Sequence, residues 1–330
     1  ETQAAYTAAL AGGSVGPVAG IDPPAATLEP VWTTLPGLDL GLVGRQEALE
    51  GMQQAYERAR VGRGMVLLIS GEAGIGKSRL MQEFAAAHAG QAQVLTAAGH
   101  RDAQASPFQP VIEALRPSLL AHHASLEVPD WCLAEAARVM PELRLSRPDL
   151  PLRMMSGGEP ARTTLFEALH TLVLGLALQA QPVLLCLDDL HWVDGTTLDW
   201  LAYSGRRLAA ADPRATESPG KLLIVGTYRD DEASSVAQLR RSLQRHGVLA
   251  EVHLAGLDER AVGVLLRQIG GALPYDDGLV GRLRRLTGGN PFFLLEIVRA
   301  IIEAGCEPED LLPSGEFCLP DTCLLYTSDA

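Results

Sequence analysis

Lysine is nearly missing from this 330-residue chain: of its 27 basic side chains only Lys77 and Lys221 are lysines, and the rest are arginines. In so arginine-biased a sequence, a retained lysine raises the question of what its ammonium does. Positive charge is short overall. Against 40 acidic residues the formal net charge is −13, which removes long-range attraction to polyanions and argues against this chain itself gripping DNA, RNA or an anionic membrane. No basic residue precedes Arg45, so a signal peptide would lack its charged n-region. The uncharged run from Ala168 to Leu187 is interrupted by His170, Thr171, Gln179, Gln181 and Pro182; it reads as helix, break and buried strand rather than a membrane span. A cytoplasmic protein without membrane contact is expected. Cysteines at 132, 186, 306, 318 and 323 form no C-x-x-C pair and have no histidine at zinc spacing, so they read as buried or idle thiols. Aromatics reach only 5%, but 47% hydrophobic and 20% charged residues are the composition of a folded chain, and its length exceeds the usual ~100–200 residues of one domain.

Residues 1–37 carry Pro17, Pro23, Pro24, Pro30 and Pro36 among Gly, Ala and Thr, the composition of a linker or of the tail of an upstream region. Short apolar runs then alternate with helical patterns, the signature of a parallel α/β sheet. The strands fall at Met65–Ser70, Gln93–Ala98, Val183–Asp188, Leu222–Thr227 and Val248–Leu254, with helices near 46–60, 77–89, 108–121, 161–180, 196–210 and 235–246. From Leu257 the pattern is purely helical, near 258–269, 277–286 and 291–304. The expected division is therefore a core at 38–255, a helical subdomain at 256–305 and a linker at 306–322. Cys323 to Ala330, CLLYTSDA, resembles the translated transposon adapter of sequencing libraries and reads as an artefact, which would make the chain a fragment that has lost downstream domains.

Residues 71–78, GEAGIGKS, complete the pattern G-x-x-x-x-G-K-[ST], with the apolar run MVLLIS before them and a helical RLMQEFAAAH after. Strand, loop and helix stand in the order a phosphate-binding loop requires. Gly71, Gly74 and Gly76 allow a tight turn with N–H groups directed inward, and the helix N-terminus adds positive potential there. Gly71, Gly74, Ile75, Gly76, Lys77, Ser78 and Arg79 are the candidate nucleotide-binding set. Lys77 would meet the β- and γ-phosphates, and the Ser78 hydroxyl would face Mg²⁺, a hard ion that prefers oxygen ligands. PVLLCLDDLHWVD (182–194) is a buried strand ending in paired carboxylates; Asp188 is assigned to the metal and Asp189 to orienting or deprotonating the attacking water. His191 reads either as a γ-phosphate neighbour or as a packed loop histidine, and Asp194 as a cap for the helix near Thr196.

These motifs, with LVGRQEALEGM (42–52), LLIVGTYRDDE (222–232) and TGGNPFFLLE (287–296), resemble the AAA ATPase module of STAND-type regulators over residues 40–305. In bacteria that module occurs in large LuxR-type transcription activators and in proteins with class III nucleotide cyclase domains. The resemblance implies a P-loop NTPase of the ASCE/AAA+ type: a three-layer α/β/α parallel sheet followed by a small helical lid, with ATP and ADP as ligands. By the same resemblance Val43, Gly44 and Arg45 lie against the adenine, and Pro291 of the G-x-P motif packs on it. Thr227 and Arg229 match a sensor position from which an arginine contacts the γ-phosphate, a surface ion pair of Arg229 with Asp230 or Asp231 being the alternative. Where many hydrolysing relatives carry an arginine at the start of the last helix, this chain has Phe292, Phe293, Leu294 and Leu295, which implies a slow switch. Arg240, Arg241 and Arg245 read as a solvated helix face or as fingers for a neighbouring subunit.

The reading reached is an ATPase of low turnover acting as the regulatory switch of a multidomain signal-transduction protein, with Lys77, Asp189 and Arg229 catalytic, self-association on activation, and DNA contact only through domains outside this chain. The alternatives are an origin-recognition-like AAA+ ATPase acting on DNA and a non-hydrolysing ATP-binding scaffold. A guanine-specific enzyme is excluded by the absence of N-K-x-D.

Overall fold

Three of the apolar runs, at 65–71, 183–188 and 222–229, become strands buried on both faces, as parallel strands between helical layers must be. The computed structural model describes residues 40–100, 107–122, 126–151, 159–177, 181–211, 220–269 and 277–304; the expected linkers, the adapter-like octapeptide and Cys306, Cys318 and Cys323 lie outside these. Strands β1 (Met65–Gly71), β2 (Gln93–Ala98), β3 (Val183–Asp188), β4 (Leu222–Arg229) and β5 (Leu249–Leu254) form one parallel sheet in the order β2-β3-β4-β1-β5. Thus β4 is interposed between the strand leading into the glycine loop and the strand ending in the acidic pair. Registers of Gly71 with Arg229 and Leu187 with Gly226 bring these strand ends to the same edge of the sheet, where α/β folds gather their ligand-binding groups.

Alternating strand residues feed two cores. Met65, Leu67, Ile69, Leu184, Cys186, Leu223 and Val225 pack under α1 (Gln46–Arg60) and α2 (Lys77–His88). Val66, Leu68, Leu95, Val183, Leu185, Leu222 and Ile224 pack on the other face under α3 (Gln109–His122), α4 (Asp130–Ala136), α6 (Glu159–Gly175), α7 (Gly195–Ala210) and α8 (Ala233–Arg245). The expected three-layer α/β/α sandwich is what forms. Two short helices were not expected, α4 and α5 (Glu142–Ser146): each is too brief to display a 3.6-residue repeat. The helix expected to reach residue 180 ends at Gly175. No helix among the described residues is long and apolar enough to cross a membrane. Cys132 and Cys186 are buried, and burial pushes both thiols up to about 12, which leaves them protonated and inert.

Beyond β5 the chain is helical, with α9 (Glu259–Ile269), α10 (Asp277–Thr287) and α11 (Pro291–Ala304). The segment leaving the sheet crosses the turn before α11 in direct backbone contact: Leu257 N–H donates to the Gly289 carbonyl at 2.7 Å, and a Cβ on Gly256 would stand 2.0 Å from the Gly288 carbonyl oxygen. Only glycine fits that approach.

His170 on α6 is 3% exposed. Burial lowers its pKa to about 4, with Glu167 opposing and Arg207 of α7 reinforcing the shift, and the Tyr203 ring lies edge-on at 6.5 Å. Because the folded value lies below the unfolded one, His170 supports folding fully above pH 6.5 and loses that contribution as pH falls toward 4. At pH 5 the loss is about 2 kcal/mol. Unfolding curves of the wild type and His170→Phe at pH 7 and pH 5 should differ by that amount in their pH dependence; parallel behaviour of the two proteins would exclude it.

Candidate functional site

The glycine loop joins β1 to α2. Gly74 and Gly76 adopt φ of +74° and +100°, conformations that cost an L side chain roughly 1–2 kcal/mol. At Gly74 a Cβ would also lie 2.7 Å from the Phe292 Cβ, whereas above Gly76 the space is open. Lys77 begins α2 and is 6% exposed. Its Nζ donates to the Gly71 carbonyl at 2.9 Å and to the Glu72 carbonyl at 2.8 Å, which leaves one N–H of the ammonium for a further acceptor. Burial lowers the Lys77 pKa, Asp189 and Asp188 oppose the shift, and Arg229 adds to it. The loop lysine, both carboxylates and the strand-end arginine therefore share one electrostatic site. Ser78, also buried, follows in the first turn of α2.

The acidic tip of β3 is held by β4. The Thr227 hydroxyl, fully buried, donates to Asp188 Oδ1. The Asp189 N–H reaches both Thr227 Oγ1, at 2.9 Å, and Asp188 Oδ1, at 3.2 Å. This clasp holds Asp189 at φ +52°, a left-handed conformation few non-glycine residues adopt. Burial and then the Asp188 charge raise the Asp189 pKa to about 6, against the pull of Lys77, Arg229 and His100. A carboxyl tuned in this way can accept a proton near neutral pH. Asp188, with Oδ1 engaged, and the Ser78 hydroxyl supply oxygen donors of the kind Mg²⁺ accepts.

Arg229 ends β4 and pairs with Asp231 at 3.1 Å, the ion pair foreseen as the alternative, yet its Nε is buried without a hydrogen-bond partner. Arg45 is 8% exposed and spends both terminal nitrogens on main chain, with Nη1 to the Ala255 carbonyl at 2.7 Å and Nη2 to the Ile75 carbonyl at 2.8 Å. Burial lowers its pKa. Its guanidinium thus clamps the glycine loop to the segment after β5. Gly44, at φ +67°, abuts α9, where a Cβ would come 2.7 Å from that of Ala261. Arg79 donates to the Leu40 carbonyl and lies 3.7 Å from Glu83. Replacing Arg45 with Met would strand the two carbonyls and should cost about 2–3 kcal/mol of stability, read from chemical denaturation; a loss under about 0.5 kcal/mol would contradict the clamp.

Pro291 is the first residue of α11, where its missing N–H costs nothing. Sequence reasoning passed over Asn290 beside it. Asn290 is 2% exposed; its Nδ2 donates to the Ala73 carbonyl at 2.8 Å, and its Oδ1 accepts the Phe292 N–H at 3.1 Å. The only sequence signal was a residue able to cap a helix standing before a proline. His100, exposed just beyond β2, is a second residue not foreseen. Asp194 caps α7, accepting from Thr196 and Thr197 N–H at 2.9 and 3.0 Å. His191 is buried with Nδ1 3.9 Å from Asp189 Oδ1. Arg240 pairs with Glu251 at 2.7 Å, as on a solvated helix face.

A family profile described as AAA ATPase domain matches residues 41–225. Among solved structures the chain is similar to a Walker-type ATPase of Pyrococcus abyssi, at 15% identity and TM-score 0.49, covering 82% of this chain and 71% of that one. It is also similar to the ORC2 protein of Aeropyrum pernix in ADPNP-ADP complexes, at 13% and 0.42 over 81% and 65% of the two chains. Domain III of the Thermotoga maritima replication initiation protein DnaA matches at 15% and 0.38 over 81% and 88%. No curated protein matches the chain. With its glycine loop, its carboxylate-tipped strand and a profile match over more than half its length, the chain belongs to the AAA ATPase family.

Proposed function

We propose that this chain is the ATP-binding, slowly ATP-hydrolysing switch of a multidomain signal-transduction protein of the STAND type, acting on transcription or on a nucleotide cyclase. The observation that carries the reading is the attachment of α11 to the phosphate loop: Asn290 bonds Ala73, and Phe292 rests against Gly74. A helical segment so joined has contacts to gain or lose with the nucleotide state, and differential contact is what moves a conformational equilibrium.

In this mechanism Lys77 holds the β- and γ-phosphates with its remaining N–H, and the loop amides between Gly71 and Ser78 donate to the other phosphate oxygens. Arg229 exchanges part of its pairing with Asp231 for the γ-phosphate, towards which the unpaired Nε offers a donor. Asp189 orients the attacking water and takes its proton. Ser78 and Asp188 would hold Mg²⁺, which when bound neutralises phosphate charge. Pro291 and the Val43–Gly44 turn border the base. Loss of the γ-phosphate then removes the Arg229 contact and loosens α11. Self-association on ATP binding belongs to the same reading. Contact with DNA is left to other domains, in keeping with the −13 charge.

The test is hydrogen exchange on the whole chain with ATP and with ADP. Amides in the first turn of α11 should be more protected with ATP, and turnover should be about 10⁻² s⁻¹ or slower and indifferent to duplex DNA. Equal protection in the two nucleotides would end the switch; a DNA-stimulated rate would instead favour the origin-recognition type of activity.

A further inference from the structure

Four carbonyls of the glycine loop accept hydrogen bonds from side chains. Gly71 and Glu72 receive the Lys77 ammonium, Ile75 receives Arg45 at 2.8 Å, and Ala73 receives Asn290 at 2.8 Å. Among these donors Asn290 alone stands beyond the sheet, at the entry to α11. A trans peptide directs its C=O and its N–H to opposite sides. Pinning the Ala73 carbonyl therefore aims the Gly74 N–H the other way. Nothing in Gly74 itself enforces that choice: without a Cβ, glycine populates positive and negative φ about equally readily, so a peptide on its N-terminal side can turn over cheaply. The orientation has to be imposed from outside.

We infer that Asn290 is a positioning residue of the phosphate site, holding the Ala73–Gly74 peptide so that the Gly74 N–H stays available to phosphate. The inference rests on the reading of the loop as the place where a polyphosphate binds. Asn290 is built for both tasks: Oδ1 caps the Phe292 N–H at the start of α11 while Nδ2 sets the loop peptide. Undocking α11 withdraws the amide and frees the peptide to turn, and a bound phosphate, by favouring the same orientation, favours docking. The two effects are equal by reciprocity of coupled equilibria. Phe292 against Gly74 limits how far the loop can shift while α11 is docked.

The test uses Asn290→Ser in the full chain. Serine caps a helix about as well as asparagine, is neutral, and is too short to reach Ala73, so the apo melting temperature should fall by only about 2–6 °C, the cost of the one carbonyl left without its donor, and the chain should stay folded where affinity is measured. Affinity for ATP and for inorganic tripolyphosphate should fall together, by about tenfold each, the scale of one lost hydrogen bond. Asn290→Asp keeps the cap with a different side chain and should lose at least as much on both ligands, which guards against a folding defect peculiar to serine. A tenfold loss for ATP with tripolyphosphate unchanged would move Asn290 to the base and overturn the inference, as would wild-type affinities in both variants. Lys77→Ala is the reference: if it weakens both ligands while the Asn290 variants bind normally, the phosphate site stands and the role given to Asn290 falls. If Lys77→Ala also binds normally, the phosphate site itself is wrong.

Discussion

Lys77→Ala is expected to weaken ATP binding by at least about 100-fold, close to 3 kcal/mol, in titration calorimetry on the whole chain. The size follows from what surrounds the ammonium. It is buried, bonded to the Gly71 and Glu72 carbonyls, and set among Asp188, Asp189 and Asp230, with Arg229 as the other nearby cation. Alanine removes a positive charge from a cluster that then carries an excess of carboxylates, so an incoming polyphosphate meets repulsion as well as a missing donor. The same substitution leaves the Gly71 and Glu72 carbonyls without the lysine, loosening the loop before any ligand arrives. Unchanged affinity would rule out the proposed function and the further inference together.

Asp189→Asn separates binding from turnover. ATP affinity should stay within about threefold while the hydrolysis rate drops by about 10²–10³-fold, the range for loss of a positioned base. Asparagine suits the backbone, since it is among the few residues that visit the left-handed region readily. Stability should move the opposite way to activity. The carboxyl is buried beside Asp188 and its pKa is raised to about 6, so near pH 7.5 the folded state holds a charge it disfavours. Removing that charge should raise the apo melting temperature by a few degrees. A variant that hydrolyses ATP at the wild-type rate would withdraw Asp189 from the chemistry, and a wild type with no measurable turnover would reduce the chain to a scaffold.

The inner strands were readable because parallel strands covered on both faces are apolar almost throughout; residues 65–69 and 183–187 are such runs. The glycine loop was readable because its chemistry is local: a few residues between one strand and one helix carry it. What escaped was tertiary. Asn290 and Ala73 are 217 positions apart, and no spacing rule joins them. The bonds of Arg45 to the Ile75 and Ala255 carbonyls were not legible either, since the second forms only after β5 has returned beside β1. The turn of Asp189 to positive φ likewise depends on a threonine from another strand. Short helices such as α4 and α5 were lost for a different reason: 7 and 5 residues give too few repeats for a period to show.

The backbone contact of Gly256 and Leu257 with Gly288 and Gly289 acts as a fulcrum. It sits just before α11, so any tilt of that helix turns about its own first residues, close to the loop. At about 1.5 Å per residue, the 14 residues of α11 make an arm of about 20 Å. A tilt of about 10° displaces the near end hardly at all and the far end by roughly 3–4 Å. In the proposed switch this geometry would amplify, converting an event no larger than the loss of one phosphate into travel on the scale of a side chain at the opposite tip.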